Sequence, residues 1–229
     1  MERHFEHQIE KLKTRVIKMC SLVDEQVEFA LRSVEEENLE LAALVKERDS
    51  KVDKYDVKID KICQKIFALN QPVAMDLRLI MSSLTINSNL ERIGDIAVNI
   101  AEGAMLLKKK PEFWGRIHIH AMSLLAKEMI KNAIDAFIEG NAKLAEKVVQ
   151  SDDRLDSLNN ENHRILIDIM KENPENIEPA VHLLVMSRQL ERLGDHATNI
   201  AEDVYFIVEA EMIKHNYEKY LFGDDDDED

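Results

Sequence analysis

Glu91–Glu102 reads ERIGDIAVNIAE, and Glu191–Glu202 reads ERLGDHATNIAE. Nine of these twelve positions are identical at an offset of 100 residues, and the three exchanges are Ile/Leu, Ile/His and Val/Thr. A segment copied in this way marks an internal duplication. Toward the N-terminus the offset becomes 103. Val45, Asp49 and Asp53 match Val148, Asp152 and Asp156; Asn38, Leu41 and Ala42 match Asn141, Leu144 and Ala145; Met19 matches Met122. The step from 103 to 100 falls at Asn70-Gln71-Pro72 and Glu172-Asn173-Pro174. The residue before a proline resists the α conformation, so these are breaks where an insertion or deletion is tolerated.

Between the breaks lie six helical segments. The first runs from His4 to Val34 and the second from Asn38 to Leu69. The third runs from Met75 to Leu107, followed by a polar connector, Lys108–Gly115, that holds Pro111. The fourth ends at Ile138, before Gly140; the fifth runs from Asn141 to Lys171 and the sixth from Ile177 to Tyr220. Gly (6) and Pro (4) are scarce, about 4% of the 229 residues against a typical ~12%, which leaves too few turns for sheets. Short links between long helices imply antiparallel bundles. The expected fold is all-α: two tandem, pseudo-symmetric three-helix bundles, six long antiparallel helices in all. They occupy residues 1–110 and 111–222, and residues 223–229 form an acidic, disordered tail.

The formal charge is −15. Such a chain repels phosphodiester backbones, and Lys108-Lys109-Lys110 is its longest basic run, so nucleic acid is not an expected partner. Free phosphate is disfavoured for the same reason unless a cation mediates. Six of the acids form the tail Asp224–Asp229, so the body is acidic in its own right. Cys20 and Cys63 lack CxxC spacing and sit among apolar residues, as free buried thiols in a reducing compartment do. No apolar run approaches 18 residues and no signal peptide is visible, which points to the cytoplasm.

The duplicated stretch also arranges its acids. On a helical wheel with Glu91 at 0°, Asp95 lies at about 40°, Asn99 at about 80° and Glu102 at about 20°, while Ile93, Ala97 and Ile100 lie opposite. Asp49, Asp53, Asp56 and Asp60 form a second stripe, the last three within about 40° of Asp49, turned away from Ile59, Ile62 and Ile66. The equivalents in the second half are Asp152, Asp156, Asn159 and His163. Both stripes face outward from their bundles. In an antiparallel pair the second-helix acids meet Glu91/Asp95, and those of the fifth helix meet Glu191/Asp195, along an exposed seam. Carboxylates at i and i+4 repel when empty, and a bound cation reverses the sign. Oxygen ligands suit Mg, Mn or Fe, and His163 makes the second site more accepting of Fe, Ni or Zn. A single ExxxD on a helix is ordinarily a solvated face; this one recurs in register with Asn99 and Asn199. Arg92 and Arg192 stand beside the glutamates as ion-pair partners of little energy.

Gly94 and Gly194 lie inside helical patterns, where glycine costs about 1 kcal/mol, and fit a close helix approach. His196 is off the acid face and suits packing or an interface; His182 falls on the core side; Phe113-Trp114 anchors the connector. The methionines read as core fillers. There is no GxxxxGK[ST], GxGxxG, GxSxG or HExxH, and no ExxH to build an interior di-iron site.

Two three-helix units, each with an ER[IL]GDxAxNIAE stretch, resemble the PhoU family of bacterial phosphate-specific transport accessory regulators. Gln71–Arg78, QPVAMDLR, is similar to that family's first-repeat signature, and it has no close counterpart at Asn173–His182. The resemblance spans residues 5 to 215. It implies a cytoplasmic, non-enzymatic negative regulator of phosphate uptake and of the phosphate regulon. Such a regulator links a Pst-type transporter, through its PstB-like ATPase subunit, to a PhoR-like sensor histidine kinase. It also implies a homodimer, attachment to the membrane through partners alone, and multinuclear metal clusters (Fe, Zn, Ni, Mn or Mg) on each bundle. On this chain the family's metal motif falls at Glu91/Asp95 and Glu191/Asp195, and the facing Asp49/Asp53 and Asp152/Asp156 complete the candidate sites. The alternatives are a metal-dependent phosphohydrolase and a purely structural bundle.

Overall fold

The computed structural model describes residues 2–211 and 213. Among these, six α-helices follow one another: α1 (Glu2–Glu35), α2 (Leu39–Leu69), α3 (Ala74–Leu107), α4 (Ile119–Glu139), α5 (Ala142–Glu172) and α6 (Ile177–Glu209). Short 3-10 turns at Glu112–Arg116 and Pro174–Asn176 lie in the links before α4 and α6.

The caps show why the helices start and stop where they do. The Asn38 side chain accepts from the backbone N–H groups of Glu40 and Leu41, and Asn141 accepts from that of Leu144. Both satisfy donors that the first turn leaves unpaired. Gly140 ends α4 in the left-handed region, at φ +63°. The two proline breaks differ. Before α3 the chain is extended at Val73 and then takes φ +47° at Ala74, whereas a 3-10 turn capped by Asn173 leads into α6. The α6 helix stops at Glu209, not at Tyr220. Ala210 turns left-handed (φ +65°) while its N–H still bonds Phe206 O, and Ile213 is buried beyond it. The acidic tail Asp224–Asp229 lies outside the described residues.

Helices α1–α3 pack on one another, as do α4–α6, and α3 lies along α6. The α3–α6 pair is antiparallel: Asn89 meets His196 at one level, and Gly103 faces Met186 at another. One continuous core runs through both units, from Leu12, Val16 and Met19 of α1 to Ile200 and Val204 of α6. A second contact joins α1 to the start of the second unit. Lys110 Nζ donates to Glu35 O at 2.8 Å and to Glu35 Oε2 at 3.0 Å, and it lies 4.8 Å from the Trp114 ring centroid. His120 Nδ1 pairs with Glu35 Oε1 at 2.9 Å. Phe113 is buried, so the connector is anchored as its sequence suggests. His182 is only half-buried, and Met75 and Met81 are exposed, so these three do not fill the core.

Gly94 and Gly194 mark close helix approaches. A Cβ on Gly94 would meet Val52 Cγ1 at 3.3 Å, whereas one on Gly194 would run into Leu155 Cδ2, with Met129 Cε 3.4 Å away. Alanine gains about 1 kcal/mol of helix propensity at either site, and overpacking a buried position costs about 1–3 kcal/mol. Gly194→Ala is therefore expected to lower the melting temperature and Gly94→Ala to leave it near the parent value. Thermal unfolding by circular dichroism reads the difference.

Candidate functional site

The α5–α6 seam gathers four carboxylates because each helix supplies a pair at i and i+4: Asp152 and Asp156 on α5, Glu191 and Asp195 on α6. Ligand atoms of Asp156, Glu191 and Asp195 all lie within 4.8 Å of one another. Glu191 is the innermost, at 8% exposure. Its Oε1 is paired with Arg188, and its Oε2 is buried without a hydrogen-bond partner. Burial, then the charge of Asp195, pushes the Glu191 carboxyl up to about 7. Burial, then the charges of Asp156 and Asp195, pushes Asp152 up to about 6, although Thr198 Oγ1 donates to its Oδ1 at 3.3 Å. Asp195 is raised by burial and by Asp156. Crowding and burial in the fold thus raise Asp152, Glu191 and Asp195 together above the ordinary carboxylate range. A buried acceptor left without a partner, on a residue grouped with Asp156 and Asp195, is one that a cation could satisfy.

The α2–α3 seam carries the duplicate. Glu91 is raised by burial and by Asp95, and Asp49 by burial and by Asp53 and Asp95. The same acids therefore sense one another, but Arg92 competes for them, lying 3.0 Å from Asp95 Oδ2 and 3.4 Å from Glu91 Oε2. Gln26 Nε2 donates to Asp49 Oδ1 at 3.2 Å and so holds it against α1. Along the same stripe Asp56 and Asp60 take another role. Asn87 Nδ2 donates to their Oδ1 atoms at 2.7 Å and 3.1 Å, tying α2 to α3.

The structure corrects several expectations. The stripes are outward only in part: Asp53 and Asp156 are exposed, Asp49, Glu91, Asp95, Asp152 and Asp195 are half-buried between the helices, and Glu191 is buried. Close helix packing at Gly194 draws α5 onto α6, which a single-helix wheel does not show. His163 is exposed and outside the ligand-spaced group. Asn99 is exposed and Asn199 half-buried. In the first seam Arg92 pairs with the acids as expected, but in the second Arg188 takes that place instead of Arg192. Arg188 was legible as the residue one turn before Glu191. Arg92 and Arg192 both lower the pKa of His196, whose first cause is burial, so the basic groups gather between the two acidic seams. There His196 Nδ1 contacts Asn89 Oδ1 at 2.8 Å, which gives this histidine its interface role. Cys20 and Cys63 are free and buried, with thiols pushed up to about 12 by burial, so they hold no thiolate for chemistry.

Comparison with known proteins follows the same division. The PhoU domain family matches residues 16–104 and 119–204, one match per unit. A protein of Aquifex aeolicus (strain VF5), named a phosphate-specific transport system accessory protein PhoU homolog, is 40% identical over 212 residues, 93% of this chain and 96% of that protein. The crystal structure of PhoU from Pseudomonas aeruginosa superposes with a TM-score of 0.87 at 33% identity, covering 90% of this chain and all of that one. That of the phosphate transport system regulatory protein PhoU from Streptococcus pneumoniae gives 0.82 at 26% identity, with 91% and 98% covered.

Proposed function

We propose, from the premise that this chain belongs to the PhoU family, that it is a negative regulator of phosphate uptake and of the phosphate regulon. Its relatives are named accessory and regulatory proteins of phosphate transport, not enzymes. In this reading the chain is a metal-binding adaptor. It contacts the PstB-like ATPase subunit of a Pst-type transporter and a PhoR-like histidine kinase, at the cytoplasmic side and as a homodimer. The observation that carries the reading is the acidic seam, which recurs in both matched spans, with Asp49/Asp53 facing Glu91/Asp95 and Asp152/Asp156 facing Glu191/Asp195. Asp152, Asp156, Glu191 and Asp195 would hold the cation of the second unit. With His163 outside the group the donors are all oxygen, which suits Mg, Mn or Fe over Zn or Ni. The bound cation would supply positive charge to a face that is otherwise acidic, and so give the adaptor two surface states. Arg188 and Arg92 orient the glutamates, and Gln26 and Thr198 orient the aspartates opposite.

Deletion and complementation test this function. A strain lacking the chain is expected to express its phosphate-regulated genes in high phosphate. Wild type should restore repression, and Glu91→Gln/Asp95→Asn with Glu191→Gln/Asp195→Asn should not. Normal repression in the deletion strain would overturn the regulatory reading, and full rescue by the quadruple variant would overturn the role of the seams.

A further inference from the structure

The α2 helix has two charged edges, and the acidic seam uses only one. About 120–180° around the helix from Asp49 lie Lys51, Lys54, Lys58, Lys61 and Lys65. All five are exposed, and none forms an ion pair among the described residues. Lys18 of α1 adds to the row: with Lys51, Lys54 and Lys58 it walls an open cleft of about 490 Å³ whose floor is Leu22 and Tyr55. Arg15 and Lys58 both stand over the Tyr55 ring, 5.8 Å and 5.2 Å from its centroid. Of the acids on this face, Glu25 is already paired with Arg48, and Glu47 stands beyond the row's beginning. In a chain of net charge −15 this is a concentrated reversal of sign. No linear run of basic residues announces it, because the lysines are spaced three and four apart.

The duplication shows that the row belongs to the first unit alone. At the offset of 103 that carries Asp49 and Asp53 onto Asp152 and Asp156, the five lysines become Arg154, Ser157, Glu161, Arg164 and Asp168, a set with no net charge. The acids were kept in both copies and the lysine edge was not. The row also leads somewhere. It continues into Leu69 at the end of α2, 63% exposed, and the α2–α3 link beyond it leaves Val73 69% and Met75 64% exposed around Pro72.

We propose that this face, the lysine row of α1–α2 with the apolar tip at Leu69 and Val73, adsorbs to the anionic surface of a phospholipid bilayer. The argument is complementarity of form as well as of charge. The row spans 15 residues of helix, about 21 Å from first to last, and offers separate ammonium groups rather than the converging guanidinium forks and backbone N–H groups that grip one phosphate. An extended array of point charges ending in a few exposed apolar side chains matches a sheet of anionic headgroups over an acyl boundary. The acidic edge of α2 faces the other side of the helix, so a surface laid against the lysines meets the ammonium groups first and the carboxylates only at a greater distance. No helix among the described residues is long and apolar enough to cross a membrane, so the contact is adsorption, reversed by salt.

Co-sedimentation of the full chain with vesicles of phosphatidylcholine, with and without phosphatidylglycerol, tests the proposal. Wild type is expected to pellet with the anionic vesicles at low salt, and to stay in solution with phosphatidylcholine alone or at high salt. Lys51→Glu/Lys54→Glu/Lys58→Glu should weaken binding by about tenfold or more. The neutral Lys→Gln set should give an intermediate loss, and Arg154→Glu/Arg164→Glu in the second unit little or none. Leu69→Ser/Val73→Ser should weaken binding without changing its salt dependence. All these side chains are exposed, so helicity should be unchanged, which circular dichroism checks. Wild type remaining in solution with anionic vesicles at low salt would overturn the proposal, as would equal pelleting of the charge-reversed and parent proteins. Lysine-dependent capture of an acidic protein without vesicle binding would overturn it too, making the face a protein interface.

Discussion

Chelator-treated protein is expected to melt at a higher temperature near pH 5 than near pH 8, and Glu191→Gln is expected to remove most of that difference. The sign follows from linkage. The Glu191 carboxyl moves from 4.5 up to about 7 on folding, and that of Asp152 from 3.8 up to about 6. A group raised in the folded state contributes stability fully below its unfolded value and loses it as pH rises through its folded value. Stability should therefore decline from about pH 4 to about pH 7 as the second seam empties of protons. Glutamine keeps the shape of Glu191 and removes the charge, so the variant should be the more stable protein at pH 8, by about 1–2 kcal/mol. At this chain length that is a few degrees, at roughly 2–4 °C per kcal/mol. Mg or Mn added at pH 8 should raise the melting temperature of the parent by binding the folded state alone. It should do much less for Glu191→Gln/Asp195→Asn. The run Asp224–Asp229 also attracts cations, and because the variant retains it, the difference between the two reports the seam. A flat pH profile, or an equal response of parent and variant to metal, would return these acids to ordinary surface charge.

The fold was legible because its signals are long-range and redundant. The ER[IL]GDxAxNIAE repeat places two equivalent helices, the offset change locates the proline breaks, and Asn38, Asn141 and Gly140 mark ends that the backbone then uses. The end of α6 was not legible. Helical spacing continues through Tyr220, and no glycine or proline warns that Ala210 turns left-handed. The left-handed Ala210 ends the helix, and Ile213 beyond it is buried. The candidate seams were half legible. A wheel gives the azimuth of Asp95 or Asp152 about its own helix, and so pairs the correct residues. It cannot give depth, which depends on how closely the partner helix comes. Gly194 under Leu155 lets α5 approach α6 and sinks Glu191, while in the first unit Arg92 stays between Glu91 and Asp95. The lysine edge of α2 was missed for a related reason: Lys51, Lys54, Lys58, Lys61 and Lys65 are interleaved with the acids in sequence, and only the wheel separates the two.

The duplicated halves are also expected to differ in what holds their middles together, and Asn162→Ala should show it with a loss of about 2–4 kcal/mol. Asn162 is fully buried in α5. Its Oδ1 accepts from His118 N at 2.7 Å, and its Nδ2 donates to Ser187 Oγ at 3.1 Å. Ser187 Oγ in turn donates to Asn159 Oδ1 at 2.8 Å. The equivalents in the first unit are Ile59, Asn87 and Asp56, and there Asn87 reaches Asp56 directly while Ile59 is plain core. The difference follows from helix length. Where α1 continues past this level with its N–H groups bonded within the helix, α4 begins, and His118 at its cap position has an N–H without an intrahelical partner. Asn162 is the side chain that satisfies it. Alanine would leave that donor without its partner beside a cavity, while Ser187 keeps its bond to Asn159, and a fall of roughly 5–15 °C in melting temperature should follow. Ser187→Ala should cost about 1 kcal/mol, because Asn162 keeps its bond to His118. Grafting the first unit's set, Asn162→Ile with Ser187→Asn and Asn159→Asp, should recover the packing and the α5–α6 link but not the His118 donor. Its stability should fall between Asn162→Ala and the parent. Full recovery would mean that the donor is satisfied by water and that burial alone sets the cost.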